Sequence, residues 1–142
     1  MRRLSRLIII IFIVTVLAVL AAACSTQATT TPSSGYYQTL TIDEFTSIVT
    51  DDADEYTIVN VHIPYEGEVA ETDFSIPYND IESLTIALPD KNASIILYCR
   101  SGRMSEEASR ALIELGYTQV WDVPGGMNAW QASGFELITS DQ

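Results

Sequence analysis

The chain has 142 residues and carries 7 basic against 19 acidic side chains, a formal net charge of −12. That length fits one small domain rather than two. The acidic balance excludes nucleic acid as a partner and excludes electrostatic docking on anionic lipid.

Arg2, Arg3 and Arg6 precede an apolar run from Leu7 to Ala23 that is interrupted only by Thr15. A basic start, an apolar stretch and a small-residue end form the layout of a secretory signal. The run closes on Ala21-Ala22-Ala23-Cys24, which resembles a bacterial lipobox, although Ala21 stands where Leu is usual. In such signals the peptide is cut before the Cys, and the new N-terminal Cys carries the lipid. Residues 1–23 are therefore expected to be a lipoprotein signal peptide, with Cys24 as the lipid anchor on the extracytoplasmic face of the cell membrane. The alternative is an uncleaved transmembrane segment, for which about 17 apolar residues is the lower limit. Residues 25–36 have neither apolar period nor charge. They cannot bury enough surface to offset their ordering entropy and are expected to be a flexible spacer. The folded domain is then expected over residues 37–140.

Thr41-Ile42-Asp43-Glu44 has capping-box spacing and is followed by Phe45, Ile48 and Val49 at helical period, which predicts a helix over about 43–50. The acidic run from Asp51 to Glu55 is most simply a solvated turn. Tyr56 to Val61 is a β-branched run that predicts a buried strand. Asn79 or Asp80 caps a second helix through Ile81, Leu84 and Leu88, stopped by Pro89. Ser94 to Tyr98 is the strongest strand signal, and its continuous apolarity predicts cover on both faces, as in a parallel sheet. A helix follows from Ser105 to Leu115, with Ala108, Ala111, Leu112 and Leu115 as its buried stripe and Gly116 as its stop. Gln119 to Val123 is another strand, and Pro124-Gly125-Gly126 turns the chain into a last helix that holds Trp130 and ends near Gly134. Strands alternating with helices make an α/β domain with a mainly parallel sheet. Ligands in such sheets bind where strand C-termini meet helix N-termini, and Cys99 occupies such a place.

Outside residues 1–23 the cations are Lys91, Arg100, Arg103 and Arg110, and three of these follow Cys99 within eleven residues. With Cys24 lipidated, Cys99 is the one remaining thiol, and no intramolecular disulfide can form. The segment is strand, then Cys99-Arg100-Ser101-Gly102-Arg103-Met104-Ser105, then helix. The helix N-terminus offers unpaired backbone N–H groups and a positive dipole end. Arg100 and Arg103 add full charge, and Gly102 lets the backbone turn so that several N–H groups face one centre. Each effect favours a thiolate. The competing reading, an inert buried cysteine at a strand end, leaves the flanking arginines and the glycine without a purpose.

The loop from Cys99 to Ser105 resembles the active-site loop of single-domain rhodaneses. Gly116-Tyr117 and Gly125-Gly126-Met127-Asn128-Ala129-Trp130 resemble two further landmarks of that family. The resemblance implies a three-layer α/β fold with a mainly parallel five-stranded sheet and helices on both faces. It implies a catalytic Cys99 that takes sulfane sulfur as a persulfide from a small sulfur-containing anion such as thiosulfate. The acceptor it implies is a thiol or cyanide, with no metal and no organic cofactor. Arg100, Ser101, Gly102, Arg103, Met104 and Ser105 become the expected substrate-binding loop. The sequence also departs from the family. Asn60-Val61-His62 stands for the usual Asp-Val-Arg, and Gly67-Glu68-Val69-Ala70-Glu71-Thr72 for the usual Gly-His-Ile-Pro-Gly-Ala. These changes remove an ion pair expected near the loop. Many relatives also carry the second loop arginine one position later, where Met104 stands here.

His62, the only histidine, fills a family arginine position, and a structural or rim role suits it better than catalysis. Trp121, Trp130 and Tyr98 are expected in or at the edge of the core. Two other functions compete. A cysteine phosphatase or arsenate reductase needs a larger loop, often with Arg six positions after the Cys, where Ser105 stands. A non-catalytic persulfide carrier, redox sensor or binding module would use the same fold without turnover.

Overall fold

A computed structural model describes residues 36–139. The signal, Cys24 and nearly all of the spacer lie outside these residues.

Five parallel strands form one sheet: β1 (Gln38–Thr39), β2 (Thr57–Asn60), β3 (Phe74–Ser75), β4 (Ile95–Tyr98) and β5 (Val120–Asp122), in the order β1-β5-β4-β2-β3. Among the described residues four α-helices accompany them: α1 (Ile42–Ser47), α2 (Ile81–Ala87), α3 (Arg103–Glu114) and α4 (Gly126–Ala132). The central strand β4 is buried along its whole length, and successive side chains go to opposite layers. Ile95, Leu97 and Cys99 pack with Leu84 of α2, Leu88 just after it, and Ala108 and Leu112 of α3. Ile96 and Tyr98 pack with Phe45, Met127 and Trp130 of α1 and α4. This period-two division gives the three-layer α/β arrangement. Each fully buried aliphatic side chain contributes roughly 1.5–3 kcal/mol.

Local signals explain most element ends. Thr41 caps α1 through a complete capping box with Glu44, and the Asp80 side chain accepts the Ser83 N–H at 3.1 Å to start α2. The first helix ends sooner than its apolar pattern implies, widening into a π turn over Ile48–Asp52 and a 3-10 turn over Ala53–Glu55. Ser47 and Thr50 donate their hydroxyls back to the carbonyls of Asp43 and Thr46. Asp51, Asp52, Asp54 and Glu55 oppose the dipole at that end.

The helix after Cys99 begins at Arg103, two residues before the expected Ser105, because Gly102 at φ +101° is itself the cap. Its buried face is Ser105, Ala108, Ser109 and Leu112, so the stripe is turned toward two serines, while Leu115 is exposed. The edge strands β1 and β3 have only two residues each, and pair with β5 and β2. Neither carries a periodic signal of its own.

Candidate active site

Cys99 leaves the C-terminal end of β4 and its side chain is only 1% exposed. Its Sγ accepts the Gly102 N–H at 3.1 Å and the Ser105 hydroxyl at 3.5 Å. The left-handed turn at Gly102 is what points that N–H back at the sulfur, and a Cβ there would press on the Gly125 nitrogen at 3.1 Å. The loop is therefore short, from Cys99 to Gly102. Arg103, Met104 and Ser105 form the first turn of α3.

A second turn holds the first. The Met127 and Asn128 N–H groups, at the start of α4, donate to the carbonyls of Cys99 and Arg100 at 2.9 and 3.0 Å. Orphan donors of one helix thus fix the backbone that carries the thiol. Gly126 makes this approach possible, since a Cβ on it would collide with the Cys99 carbonyl oxygen. The Gly-Gly element of the sequence is the docking point for the cysteine loop.

The two loop arginines do not converge on the sulfur. Arg100 Nη1 lies 2.8 and 2.7 Å from the two carboxylate oxygens of Glu66. Arg103 reaches Glu107 at 3.7 Å and lies over the Tyr78 ring. Ser101 and Arg103 are exposed, and Met104 is partly buried against the α2–α3 core.

Asn60 and His62 form no ion pair with each other, but a different pair, Arg100 with Glu66, stands beside the loop. His62 Nε2 also sits 3.2 Å from Glu66, its ring is largely buried, and its Nδ1 has no partner among the described residues. Asn60 is buried at the end of β2, accepting the His62 N–H and donating to the Gly67 carbonyl. A neutral amide thus does the tethering there. The same segment is tied to β4 through the Tyr98 hydroxyl, which accepts the Val69 N–H at 2.9 Å and bonds to Thr72 at 2.8 Å. Burial holds that phenol well above the usual tyrosine range.

Beside the loop lies an open cavity of about 340 Å³ lined by Tyr37, Thr39, Ser101, Gly102, Arg103, Glu106, Asp122 and Pro124. Asp122 is buried at the end of β5, and burial raises its carboxyl above the usual range. Glu66 and Asp122 were both missed from sequence, because each reaches the loop across a large sequence separation with no motif around it. Among the described residues no cluster of metal-ligating side chains occurs.

The profile of the rhodanese-like domain matches residues 50–133. The chain belongs to the rhodanese-like family. The thiosulfate sulfurtransferase PspE of Escherichia coli (strain K12) is 36% identical over 70 residues, covering 47% of this chain and 67% of that protein. A sulfurtransferase of Allochromatium vinosum is 27% identical over 93 residues, covering 63% of this chain and 85% of its own length. Among solved structures, the rhodanese-like domain of an Anabaena protein matches with a TM-score of 0.63 at 19% identity, over 75% of this chain and 85% of that one. A rhodanese-related protein of Thermoplasma volcanium gives 0.58 at 22% identity, over 72% and 98%. These two likenesses speak for the rhodanese-like fold. With the sulfurtransferases among its relatives, this rhodanese-like chain is a sulfurtransferase in general activity.

Proposed function

We propose that Cys99 is the sulfur-carrying nucleophile, that thiosulfate is a donor, and that the chain works outside the membrane on a lipid anchor at Cys24. The observation that carries the reading is the Cys99 sulfur at the end of β4, met at 3.1 Å by the Gly102 N–H at the head of α3. The Cys99 thiolate attacks the outer sulfur of thiosulfate, a new S–S bond forms, the old one breaks, and sulfite leaves with the bonding pair. A thiol or cyanide then attacks the outer sulfur of the persulfide, and the thiolate departs with the electrons of the broken S–S bond. The Gly102 N–H and the Ser105 hydroxyl stabilise charge on sulfur in both steps. Arg100 and Arg103, both exposed at the mouth, attract the dianion, and Arg100 must share itself between donor and Glu66.

The test is thiocyanate formation from thiosulfate and cyanide by the full chain in detergent, beside Cys99→Ser. Turnover should vanish with the thiol, and Arg103→Ala should raise KM with little change in kcat. An active Cys99→Ser variant would sink the proposal. Two observations favour the second reading, a slow carrier or binding module: Cys99 is nearly sealed and Arg100 is occupied. A persulfide that forms on Cys99 but is not discharged by cyanide would select it.

A further inference from the structure

One carboxylate oxygen beside the loop serves two partners. Glu66 Oε2 lies 3.2 Å from His62 Nε2 and 2.7 Å from Arg100 Nη1. His62 stands four residues back on the same segment after β2, while Arg100 comes from the turn after β4. His62 is the only histidine of the chain, and its side chain is 8% exposed. An ionised carboxylate can only accept, so Nε2 carries the ring proton in this contact. Nδ1 is then the bare nitrogen, and it is buried with no hydrogen-bond partner among the described residues. The transfer steps above use neither nitrogen.

We propose that His62 is a positioning residue that sets the affinity for the anionic donor by controlling, through Glu66, how firmly Arg100 is held. With a neutral ring, Glu66 keeps its full charge for Arg100, whose Nη1 meets both carboxylate oxygens. A second proton, taken up at Nδ1, makes the ring a cation. One carboxylate is then shared between two cations, and its hold on Arg100 weakens. The guanidinium turns to the donor instead. Protonated His62 thus favours donor binding, and neutral His62 opposes it. Histidine is the residue type whose charge changes between pH 5 and 8, so donor affinity should rise as the pH falls through that range. The elements beside His62 are set by its neighbour Val61, which bonds to the Tyr98 carbonyl and to the Tyr78 N–H. Their titratable and charged groups are Tyr65, Glu66 and Glu68 on its own segment, Tyr78 after β3, and Cys99, Arg100 and Arg103 after β4. Glu68 bonds to Ser75, and Arg103 lies over the Tyr78 ring. Asp122, whose carboxyl burial raises, is a separate source of pH dependence at the cavity.

This inference rests on Arg100 meeting the anionic donor, but its test needs no sulfur transfer. The full chain in detergent carries Cys99→Ser throughout, so that thiosulfate binds without reacting and the thiol does not titrate. By isothermal titration calorimetry, the Kd for thiosulfate should fall about threefold from pH 8 to pH 5.5, within the roughly fivefold that an exposed ion pair can set. Adding His62→Gln keeps an N–H donor for Glu66 but no charge, and the Kd should then be equal at both pH values. Adding Glu66→Gln instead should give the tighter Kd at both. A pH effect that survives His62→Gln belongs to Asp122 or another carboxyl and overturns the proposal. One that survives Glu66→Gln is plain attraction by the imidazolium and overturns it too. A Kd that does not change with pH, or no binding of thiosulfate, does the same. If His62→Gln fails to fold, proton uptake decides. At pH 6.5 the Cys99→Ser chain should take up protons on binding thiosulfate, seen as a heat that varies with the ionisation enthalpy of the buffer, and Glu66→Gln should abolish the uptake. Absent uptake, or uptake that persists in Glu66→Gln, overturns the proposal. A wild-type chain that makes no thiocyanate while these shifts hold fails the functional reading and keeps this one, and turnover beside a flat Kd does the reverse.

Discussion

Glu66 holds the arginine that the proposed anionic donor would meet at the mouth of the loop. Its carboxylate holds Arg100 through both oxygens and touches His62 as well. Arg100 is more than half exposed, so the pair contributes about 0–1 kcal/mol. A dianionic donor can outbid an interaction of that size. Glu66→Gln should therefore free Arg100 and lower KM for thiosulfate by up to about fivefold, with kcat within about twofold. Steady-state kinetics decides the point. A raised KM would mean that Arg100 needs Glu66 to hold its pose, and an unchanged one that Arg100 does not meet the donor. None of this was visible in Asn60-Val61-His62 alone. The residue that replaces the expected ion pair lies four positions further on, and its partner is 34 residues away in the chain.

At the scale of elements, the site is two strand-to-helix turns locked together. The turn after β4 presents the sulfur, and the turn after β5 grips its backbone through Met127 and Asn128. Gly126 at φ +47° is the close approach on which this depends. Gly126→Ala should cost roughly 3 kcal/mol or more, since left-handed strain adds to a backbone collision. Gly116→Ala is the control: it also sits at positive φ, +90°, but nothing lies within 4 Å of its added Cβ. That change should cost only about 1–2 kcal/mol. Urea unfolding of the two variants measures the difference, and equal losses would refute the docking account. What was legible here followed from local physics. Ser94 to Tyr98 announced a doubly covered strand ending on Cys99, and Thr41 and Asp80 announced their helices by their caps. What was illegible was contact across the sheet. The two-residue strands β1 and β3 exist through their partners β5 and β2. The inward turn of Ser105 and Ser109 follows from where α3 starts, which Gly102 sets.

For the molecule as a whole, charge and anchor bear on one another. A juxtamembrane cation contributes about 1 kcal/mol of attraction to an anionic leaflet, and this chain, with 19 acidic side chains against 7 basic, is repelled by such a surface instead. On the proposed membrane anchor, residence would have to come from acyl chains or from an apolar span. Residues 7–23 fit either an excised signal or an uncleaved span, and Cys24 distinguishes them. Two acyl chains give stable attachment where one does not. The wild-type chain should therefore stay in the membrane fraction through a high-salt wash, and intact-mass measurement should place its N-terminus at Cys24 with diacyl mass added. Cys24→Ala should accumulate with residues 1–23 still attached, because the cut depends on the modified cysteine. A wild-type mass that retains residues 1–23 would establish the transmembrane anchor in place of the lipid. On either form of the proposed anchor, the acidic domain is expected outside the membrane, joined to it by the polar residues 25–36.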